Sequence, residues 1–495
     1  MKILLVVTAC LLATLGQAQI PVSVGPAHRI RPEWVGVNGN VTGQNMPWNN
    51  PALVNGLKKT GAGTIRYPAG TIANYWDWDI GWIDPAVPDS LMIRWVVQQG
   101  LNRSHDRYPL ENLAKALRET GVTPVFVLNM LSKDLDHSLR GLRKAKALGL
   151  PVRFVELGNE LYFNLPYESR VFPTPEAYGQ TCRNWIEAIK REFPGVQCAV
   201  LGTELARNDR QRDWTRRVLA QVPNADAVIF HVYTPFGLDG IAERANNNAG
   251  QEGVTNGPNR QPLADRQQTE LTLLNDAGAY ARMINTAFGA ARRLRGMNTP
   301  ADKEIWATEF NVRADSSAVR GTWANTLFVT AFYLSFLESR QVTLTHYHNI
   351  QGNTFGALYN DNRAFGHVVH TKLSNRRGAL SAGGMALSVF AEQTQGANSA
   401  RPLTFGNGLT LQPTGGSAFP ALQGWLFNTG KGLIVNFSGQ PQTIDVSGQE
   451  GLSTYRQLAG GLSQYVQDVD GLDLTTGSIS KTLRLPPYSI TLLRP

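Results

Sequence analysis

The chain has 495 residues, of which 42% are hydrophobic and 17% are charged, which is the composition of a globular protein with a large core. This length suits a barrel with an accessory module and excludes a single small domain. The formal net charge of +9 is spread along the sequence without a basic run, so no nucleic-acid partner is indicated. A positive charge of this size is compatible with binding an acidic polymer, although it usually belongs to a solvated surface.

The first 18 residues have the features of a secretory signal peptide. One early lysine precedes the apolar stretch Ile3–Leu15, and the small residues Gly16 and Ala18 stand before a cleavage site. This stretch is too short to span a bilayer, so we expect a secreted or periplasmic protein with no membrane partner. The alternative is a lipoprotein attachment site at Cys10, which would leave a very short apolar region before that cysteine.

Between about Glu33 and Ile350, apolar and β-branched runs alternate with segments of helical periodicity. The eight strand-like runs are Trp34–Asn38, Thr64–Tyr67, Pro124–Asn129, Arg153–Gly158, Gln197–Gly202, Ala227–Tyr233, Glu304–Glu309 and Val342–Tyr347. The helical segments are Pro51–Thr60, Leu110–Thr120, Leu135–Leu148, Pro175–Phe193, Asp209–Gln221, Leu271–Leu294 and Thr322–Ser339. Because nearly apolar strands separated by helices form parallel sheets, this alternation predicts an α/β fold of the (β/α)8 TIM barrel type.

An open, doubly wound sheet is the alternative fold for this alternation. Such a sheet usually carries a glycine-rich phosphate loop after its first strand. The corresponding sequence here, GVNGNVTGQ at 36–44, lacks that glycine spacing.

The pattern changes after a last helical stretch near Ala379–Gln393. Over Arg401–Pro495, short strand-like runs alternate with turns of Gly, Ser, Asn and Pro, which is typical of an all-β sandwich. The extended segment Pro21–Ile30 can add a strand to it. We therefore divide the mature chain into a barrel at 19–396 and a β-sandwich at 397–495, packed on the barrel because no long linker precedes it.

The mature chain keeps two cysteines, Cys182 and Cys198. Two cysteines do not make a disulfide framework, although an exported protein can pair them. The sequence leaves their pairing open.

Polar and titratable residues stand where the predicted strands end. They are Arg66 and Tyr67 after strand two, Asn129 after strand three, Asn159 and Glu160 after strand four, His231 and Tyr233 after strand six, Glu309 and Asn311 after strand seven, and His346, Tyr347, His348 and Asn349 after strand eight. The active site of such a barrel lies at the carboxyl ends of its strands. Packing does not explain so many polar groups at one rim, and the sequence therefore predicts a site there.

Two of these residues, Glu160 and Glu309, fit the pair of carboxyl groups that cleavage of a glycosidic bond requires. Strands four and seven lie across the barrel from each other, so their tips can face one another over a pocket. A separation of about 5–5.5 Å would give double displacement with retained configuration. Glu309 is then the nucleophile, and Glu160 is the acid that protonates the leaving oxygen and the base that activates water.

The neighbouring residues fit these roles. Asn159 can hydrogen-bond the hydroxyl next to the anomeric carbon, and Tyr233 can donate to Glu309. Arg66, if close, would keep Glu309 ionised by lowering its pKa. Glu156 lies an even number of positions before the acid/base residue, so we expect it to point into the barrel and pair with a cation such as Arg66.

Further side chains are expected to contact the substrate. They are Asn129, His231, Tyr347, His348 and Trp76, the last from a loop that also holds Tyr75, Trp78 and Trp82. Aromatic rings stack on sugar faces, but a dense aromatic cluster is also how a long loop acquires a small core. We expect one or two of the four loop aromatics to touch the substrate.

The three histidines His231, His346 and His348 also suggest a metal site. Many barrel metallohydrolases carry an HxH pattern with a carboxylate on strand one. The strand-one run of this chain, Trp34–Asn38, has no histidine. We therefore expect no metal and no other cofactor.

Together these motifs resemble the clan A glycoside hydrolases, whose acid/base residue follows an Asn at the end of strand four and whose nucleophile ends strand seven. ELGNEL at 156–161 resembles the heparanase and β-glucuronidase branch. IRYPAGTIANYWDW at 65–78, ATEFNV at 307–312 and LPPYSITLL at 485–493 are similar to the α-L-arabinofuranosidase and β-xylosidase branches, which also carry a C-terminal β-sandwich. The resemblance covers nearly the whole mature chain and implies catalytic roles for Glu160 and Glu309. One departure is LTHYHNI at 344–350, which lacks the strand-eight Trp of many members; Tyr347, His348 or a loop aromatic can take its place.

We therefore expect a secreted retaining glycosidase that acts on a polysaccharide or its oligosaccharide fragments. The alternatives are a carbohydrate-binding pseudoenzyme, disfavoured because both carboxylates are present, and a metal-dependent barrel hydrolase. The sequence leaves open the sugar, the linkage, internal or terminal cleavage, the oligomeric state and the role of the long stretch Gly237–Gln267.

Overall fold

The computed structural model of the protein describes residues 19–40, 46–238, 263–297, 299–313, 317–351, 356–359, 376–449 and 451–495. The predicted signal peptide at 1–18 and most of the stretch Gly237–Gln267 lie outside these residues. Among the helices of the described part, none is both long enough and apolar enough to cross a membrane.

Eight parallel strands form a closed barrel, in which each strand pairs with the next along the chain and the eighth pairs with the first. Barrel strands one to eight are Val35–Asn38, Thr64–Tyr67, Thr123–Leu128, Phe154–Leu157, Gln197–Leu201, Ala227–Thr234, Glu304–Val312 and Val342–Tyr347. The predicted fold class is confirmed, and every predicted run overlaps an observed strand. The runs are recognisable because the strands are buried on both faces and hence nearly continuously apolar.

Helices cover the outside of the barrel. The α-helices are Pro51–Thr60, Arg94–Gln98, Leu110–Thr120, Leu135–Ala147, Pro166–Val171, Pro175–Glu192, Trp214–Leu219, Leu263–Leu273, Ala277–Arg293, Trp323–Leu337 and Ala382–Thr394. Short 3-10 helices lie at Thr71–Tyr75, Asp89–Leu91, Leu101–Arg103 and Leu294–Gly296, and two-residue strands pair Trp76–Asp77 with Trp82–Ile83 and Thr410–Leu411 with Phe419–Pro420.

The single helix predicted over Leu271–Leu294 is wrong. Two helices, Leu263–Leu273 and Ala277–Arg293, meet within that range. The second begins at Asp276, whose side chain accepts a hydrogen bond from the backbone N–H of Ala279 (2.7 Å). Such a cap satisfies a free N–H group at the start of a helix and so favours a new helix at this point.

The helix predicted over Asp209–Gln221 is shorter in the structure and spans Trp214–Leu219. Asp213, directly before it, has a φ of 57°. This left-handed conformation interrupts a right-handed helix, and the residues before it form turns instead.

The C-terminal residues form a β-sandwich together with the start of the chain. Its strands are Ile20–Val24, His28–Arg29, Ser399–Phe405, Leu422–Phe427, Gly432–Asn436, Gln442–Asp445, Thr454–Ala459, Asp473–Ser478, Thr482–Leu485 and Ser489–Arg494. Ile20–Val24 pairs antiparallel with Ser399–Phe405 and parallel with Gln442–Asp445, so the predicted N-terminal segment joins the two sheets. An apolar core separate from that of the barrel fills the sandwich, and it includes Leu403, Leu422, Ile434, Ile444 and Leu485.

The sandwich packs directly on helices of the barrel. The indole Nε1 of Trp323 donates to the backbone carbonyl of Tyr488 (2.6 Å). The ring of Tyr488 also packs edge-on against Tyr280, with 5.2 Å between ring centroids, and Phe288 packs against Phe419 at 5.7 Å. Aromatic contacts of this kind bury a large area, so the two parts of the chain share an interface.

Both cysteines are buried free thiols. Burial raises the pKa of the Cys198 thiol to about 12 and raises that of Cys182 well above its usual range. The pairing that the sequence left open is not formed in this structure, and both side chains serve as small core residues.

Candidate active site

Glu160 and Glu309 face each other at the carboxyl end of the barrel. A carboxylate oxygen of each and a ring nitrogen of His231 all lie within 4.8 Å of one another. The side chains of Glu160 and Glu309 are 12% and 7% exposed, so both are largely shielded from bulk water. The structure thus brings the two predicted carboxylates close together, and their catalytic roles stay a prediction.

Barrel strand seven presents Glu309 through a β-bulge. The ring of Trp306 contacts that of Phe154 on strand four, with 5.6 Å between centroids, and because these strands are not neighbours both rings point into the barrel. Simple alternation would turn Glu309, three positions later, outward. The register with strand six shifts by one residue between Ile229 and His231, so that His231 pairs with Glu309. The extra residue of the bulge turns the carboxylate inward.

Barrel strand four ends at Leu157 and turns so that Asn159 and Glu160 face the pocket. Gly158 has a φ of 84°, which glycine adopts without strain, and a Cβ there would lie 2.5 Å from Leu161 Cδ1. Glu160 itself has a φ of 47°. This conformation costs a non-glycine residue free energy, and such strain concentrates at functional sites.

Asn74, from the loop after strand two, fixes the backbone of Asn159. The Asn159 N–H donates to Asn74 Oδ1 (3.1 Å), and the Asn74 amide nitrogen donates to the Asn159 carbonyl (2.8 Å). Sequence reasoning missed Asn74, although an amide inside the aromatic stretch IANYWDW was a usable signal. A buried amide among rings needs partners of its own.

Arg66 is fully buried and links barrel strands four and seven through its hydrogen bonds. Its Nε donates to Glu156 Oε2 (2.7 Å), as the even spacing along strand four predicted. Its Nη1 donates to Glu309 Oε1 (2.6 Å) and its Nη2 to Asn159 Oδ1 (2.8 Å). Burial lowers the pKa of Arg66, but the negative charges of Glu156 and Glu309 outweigh burial and raise it. The site therefore contains a permanent positive charge in contact with Glu309.

Glu309 is held in its ionised form. Tyr233 Oη donates to its Oε2 (2.7 Å), while Nδ1 of His231 and Nδ1 of His348 lie 3.6 and 3.7 Å from the same oxygen. Burial raises the pKa of Glu309, but the charges of the two histidines and of Arg66, with the tyrosine hydrogen bond, lower it to about 2. The arginine charge is present at every working pH, so the carboxylate is available as a nucleophile.

Glu160 uses one carboxylate oxygen for its contacts. Tyr162 Oη donates to Oε1 (3.1 Å), and Nδ1 of His231 lies 2.9 Å from the same oxygen. Burial lowers the pKa of His231, but the charge of Glu309 and the hydrogen bond to Glu160 raise it above its ordinary value. Oε2 makes no hydrogen bond to a described residue and is the oxygen that can exchange a proton with a substrate. Sequence reasoning missed Tyr162, although it stands two positions after Glu160.

Gly70 lets the loop after strand two approach Glu309 closely. A Cβ on this residue would lie 2.7 Å from Glu309 Oε1 and 3.7 Å from Asn159 Oδ1. We expect Gly70→Ala to lower kcat by about a hundredfold, because a displacement of about 1 Å at a reacting group has an effect of that size. Steady-state kinetics with a thermal melt checks this. Gly289→Ala, where an added Cβ meets open space, is the control and should keep kcat; an unaltered kcat in Gly70→Ala would contradict a tightly positioned Glu309.

Tyr233→Phe removes the hydroxyl that donates to Glu309. Because a hydrogen bond to a charged group contributes about 1.5–3 kcal/mol, we expect kcat/KM to fall about tenfold to hundredfold. This hydrogen bond helps to lower the pKa of Glu309, so its loss raises that pKa and moves the acid limb of the pH profile to higher pH. Tyr455→Phe on the sandwich is the matched control. A wild-type acid limb in Tyr233→Phe would show that the hydroxyl does not act on the nucleophile.

The side chain of Asn129 is engaged in hydrogen bonds of its own loop, and its substrate contact stays a prediction. Its amide nitrogen donates to the Trp76 carbonyl (3.0 Å) and to Ser132 Oγ (2.8 Å). Its Oδ1 accepts from the backbone N–H groups of Leu131 and Ser132, both at 3.0 Å. These four bonds hold the loop after strand three, which is a common use of asparagine side chains in turns.

The aromatic rings after strand two pack on one another, and the substrate contact of Trp76 stays a prediction. Trp76 is 2% exposed and packs edge-on against Tyr67 and Trp82, with centroids 5.7 and 6.1 Å apart. Tyr75 and Trp78 are buried as well. The rings form a small core of the loop, which was the alternative reading of this cluster.

The ring of Tyr347 packs among other buried residues, and its substrate contact stays a prediction. Its ring packs against Phe310, at 5.9 Å between centroids, and a Cβ on the helical residue Gly383 would lie 2.0 Å from its hydroxyl oxygen. The side chain therefore lies between the barrel and its helices. Alternation along strand eight then turns His346 and His348 inward.

Of these two histidines, His348 reaches the pocket, where its ring packs edge-on against Tyr233 at 6.0 Å. His346 lies deeper in the barrel, since a Cβ on Gly36 would lie 2.4 Å from its Cδ2. Burial, and then the charge of Arg66, lowers the pKa of His346 to about 3. His231, His346 and His348 thus do not converge on one point.

Two groups of three donor side chains in the described part of the chain could hold a metal ion. They are Glu160, His231 and Glu309, and Asp77, Asp79 and His137. In each group a cationic side chain already pairs with a carboxylate, Arg66 with Glu309 (2.6 Å) and Lys133 with Asp77 (2.7 Å). These charges disfavour a second cation at either place.

Neither a protein-family model nor a curated protein sequence matches the chain. Solved structures match it along nearly its whole length. The family 51 arabinofuranosidase of Xanthomonas axonopodis pv. citri gives a TM-score of 0.65 at 14% identity, over 96% of this chain and 99% of that one. The family 51 α-L-arabinofuranosidase of Bifidobacterium longum gives 0.62 at 14%, over 96% and 98%, and a 4-O-α-L-rhamnosyl-β-D-glucuronidase of Fusarium oxysporum gives 0.54 at 13%, over 96% and 99%.

The chain has the fold of the clan A glycoside hydrolases. At these identities the likeness concerns the barrel and its sandwich. One fold hosts many chemistries, so the reaction has to be argued from the side chains of the site.

Proposed function

We propose that the protein is an exported retaining glycosidase that cleaves O-glycosidic bonds of polysaccharides or oligosaccharides. The observation that carries this proposal is the approach of Glu160 and Glu309 to within 4.8 Å at the carboxyl end of the barrel. Retaining enzymes place their two carboxyl groups about 5–5.5 Å apart, whereas inverting enzymes leave about 6.5–9.5 Å to admit a water molecule. The observed approach favours the first geometry.

In the first step Glu309 attacks the anomeric carbon while Glu160 gives its proton to the leaving oxygen. The glycosidic bond breaks, the leaving group departs as an alcohol, and the sugar forms an ester with Glu309. In the second step Glu160, now ionised, takes a proton from water, which attacks the same carbon. The ester bond breaks, Glu309 leaves as a carboxylate, and Glu160 is protonated again.

The surroundings of each carboxylate suit its role. Arg66 and Tyr233 stabilise negative charge on Glu309, which favours its ionised form before attack and its departure in the second step. The Asn159 oxygen accepts from Arg66, so its amide nitrogen is left as the donor for the hydroxyl next to the anomeric carbon. That contact strengthens as charge develops on the sugar ring.

A metal-dependent hydrolase is the second candidate, because Glu160, His231 and Glu309 are close enough to share an ion. The Arg66 guanidinium beside Glu309 argues against it, since two cations would then compete for one carboxylate. The third candidate function is a pseudoenzyme that binds glycan without cleaving it.

Aryl glycosides test these proposals. We would screen the purified protein against arabinofuranoside, xyloside, glucuronide, glucoside and galactoside substrates, before and after dialysis against EDTA. Hydrolysis of at least one substrate that survives EDTA supports the proposed reaction. Activity that EDTA removes and a divalent ion restores would favour the metal-dependent reading, and saccharide binding without any hydrolysis would favour the pseudoenzyme.

A further inference from the structure

Glu160 lies in a segment without regular secondary structure, just beyond the end of barrel strand four. Residues 158–165 belong to neither a helix nor a strand. Glu160 also has a φ of 47°, a conformation that costs free energy and persists only when the surroundings impose it. The hydrogen bonds of the barrel strands therefore do not fix this residue, and other contacts have to hold it.

The side chain of Arg210 makes such contacts from the segment after barrel strand five. Its guanidinium donates to four backbone carbonyls of the segment 161–172, those of Leu161, Phe163 (2.6 Å), Glu168 (3.2 Å) and Phe172 (2.9 Å). Leu161 directly follows Glu160. No backbone N–H of a described residue donates to the carbonyls of Leu161, Phe163 or Phe172. Because a buried carbonyl needs a donor, Arg210 satisfies groups that the segment leaves open.

Arg210 also reaches Glu160 through two aromatic rings. Its guanidinium lies over the ring of Trp214, 5.1 Å from the centroid. That ring packs edge-on against Tyr162 at 6.2 Å, and the Tyr162 hydroxyl donates to Glu160 Oε1 (3.1 Å). The indole of Trp214 is itself anchored, since its Nε1 donates to the Leu201 carbonyl at the end of strand five (2.9 Å). Backbone and side chain of the segment are thus held from the same place.

The guanidinium of Arg210 is charged at neutral pH. Burial lowers its pKa to about 10, while the negative charge of Glu168 acts in the opposite direction. A charged donor makes hydrogen bonds roughly twice as strong as a neutral one. The four carbonyls are therefore held by strong bonds.

We propose that Arg210 is a positioning residue for Glu160, which it holds within reach of the leaving oxygen by fixing the segment 161–172. This inference rests on the proposed glycosidase reaction, in which Glu160 protonates that oxygen. Proton transfer requires the acid to lie within hydrogen-bond reach of the atom that it protonates. Loss of Arg210 should therefore slow the steps that need this proton and spare the others.

Glycosides of graded leaving-group pKa test this role, with the sugar that the screen identifies. Full-length wild type, Arg210→Gln and Arg210→Lys are assayed for kcat/KM, each after a thermal melt that establishes folding. Lysine keeps the charge but lacks the planar fork, so it cannot bind four carbonyls at once. Arg212→Gln is the matched control, because Arg212 is exposed and pairs with Asp209 on the surface (2.8 Å).

For alkyl glycosides we expect kcat/KM of both Arg210 variants to fall about tenfold to hundredfold, the effect of a displacement of about 1 Å at a reacting group. For 2,4-dinitrophenyl glycosides, which need no proton, it should stay within about twofold of wild type. A merely structural role would lower all rates alike by reducing the folded fraction. An equal loss across leaving groups, or wild-type rates in both variants, would overturn the inference. Should Arg210→Gln not fold, Arg210→Lys carries the comparison.

Hydrogen exchange of the protein without substrate separates this failure from failure of the proposed reaction. In Arg210→Gln the backbone amides of 161–172 should exchange about tenfold faster than in wild type, whereas those of barrel strand five should keep their rates. Unaltered exchange in 161–172 would overturn the inference whether or not a glycoside is cleaved. Faster exchange without any cleavage would reject the proposed reaction and leave the hold of Arg210 on the segment intact. Cleavage with a wild-type dependence on the leaving group would keep the reaction and reject the positioning role.

Discussion

Replacing Glu309 with alanine is expected to lower kcat for an aryl glycoside by about 10⁴-fold or more, the scale seen when a nucleophile that acts within a catalytic unit is removed. The carboxylate is ionised, with a pKa lowered to about 2, and one of its oxygens lies within 4.8 Å of a Glu160 carboxylate oxygen. Without it no covalent sugar ester can form. Steady-state kinetics on the best substrate of the screen measures the loss.

External azide sharpens this prediction. Azide can enter the space left by the carboxylate and attack the anomeric carbon itself, so Glu309→Ala should yield a glycosyl azide with inverted configuration. Glu119→Ala, a surface carboxylate paired with Lys58 (2.8 Å), is the control and should behave as wild type. Wild-type turnover by Glu309→Ala would remove the nucleophile assignment.

Replacing Glu160 with alanine is expected to have an effect that depends on the leaving group. For a poor leaving group such as an alkyl glycoside, the loss should be about 10²–10⁴-fold, the usual contribution of a general acid. For 2,4-dinitrophenol, which departs without a proton, formation of the sugar ester should be nearly unimpaired. Its breakdown, which needs Glu160 as a base, then becomes limiting.

The measurement is a comparison of kcat/KM across aryl glycosides of graded leaving-group pKa. The slope of log kcat/KM against leaving-group pKa should become steeper in Glu160→Ala than in wild type. Glu187→Ala, on the surface in an ion pair with Arg183 (3.4 Å), should keep the wild-type slope. A uniform loss across all leaving groups would mean that Glu160 does not protonate the leaving oxygen.

The barrel could be predicted because its strands carry the signal in their composition. A strand buried on both faces admits few polar residues, so runs such as Ala227–Tyr233 stand out from the helices around them. The ends of helices are harder to predict from sequence, because they depend on single residues. The break before Ala277–Arg293 rests on the cap at Asp276, and a periodic apolar pattern continues across it.

The closeness of Glu160 and Glu309 could be predicted because a barrel gathers the ends of its strands at one rim. The inward turn of Glu309 could not, since it depends on the bulge between strands six and seven. The direction of the Tyr347 side chain was also not predictable from the sequence. Its position at a strand end was known, but the face it occupies became clear only from its contact with Phe310.

Side chains that belong to loops were the least predictable. Asn129 and Trp76 are residue types that bind sugars, yet both are used to hold the loops in which they lie. Gly70 and Asn74 act through close approach and backbone hydrogen bonds, neither of which leaves a mark in the order of residues. Loop conformation decides such roles, and a single sequence does not specify it.

The spacing of the two carboxylates is tested most directly by the configuration of the first product. Proton NMR of a reaction mixture, recorded before the released sugar mutarotates, distinguishes the two anomers. Since the approach of Glu160 and Glu309 to within 4.8 Å suits a retaining enzyme, the first sugar to appear should have the configuration of the substrate. Initial release of the opposite anomer would contradict double displacement and with it the roles given to both residues.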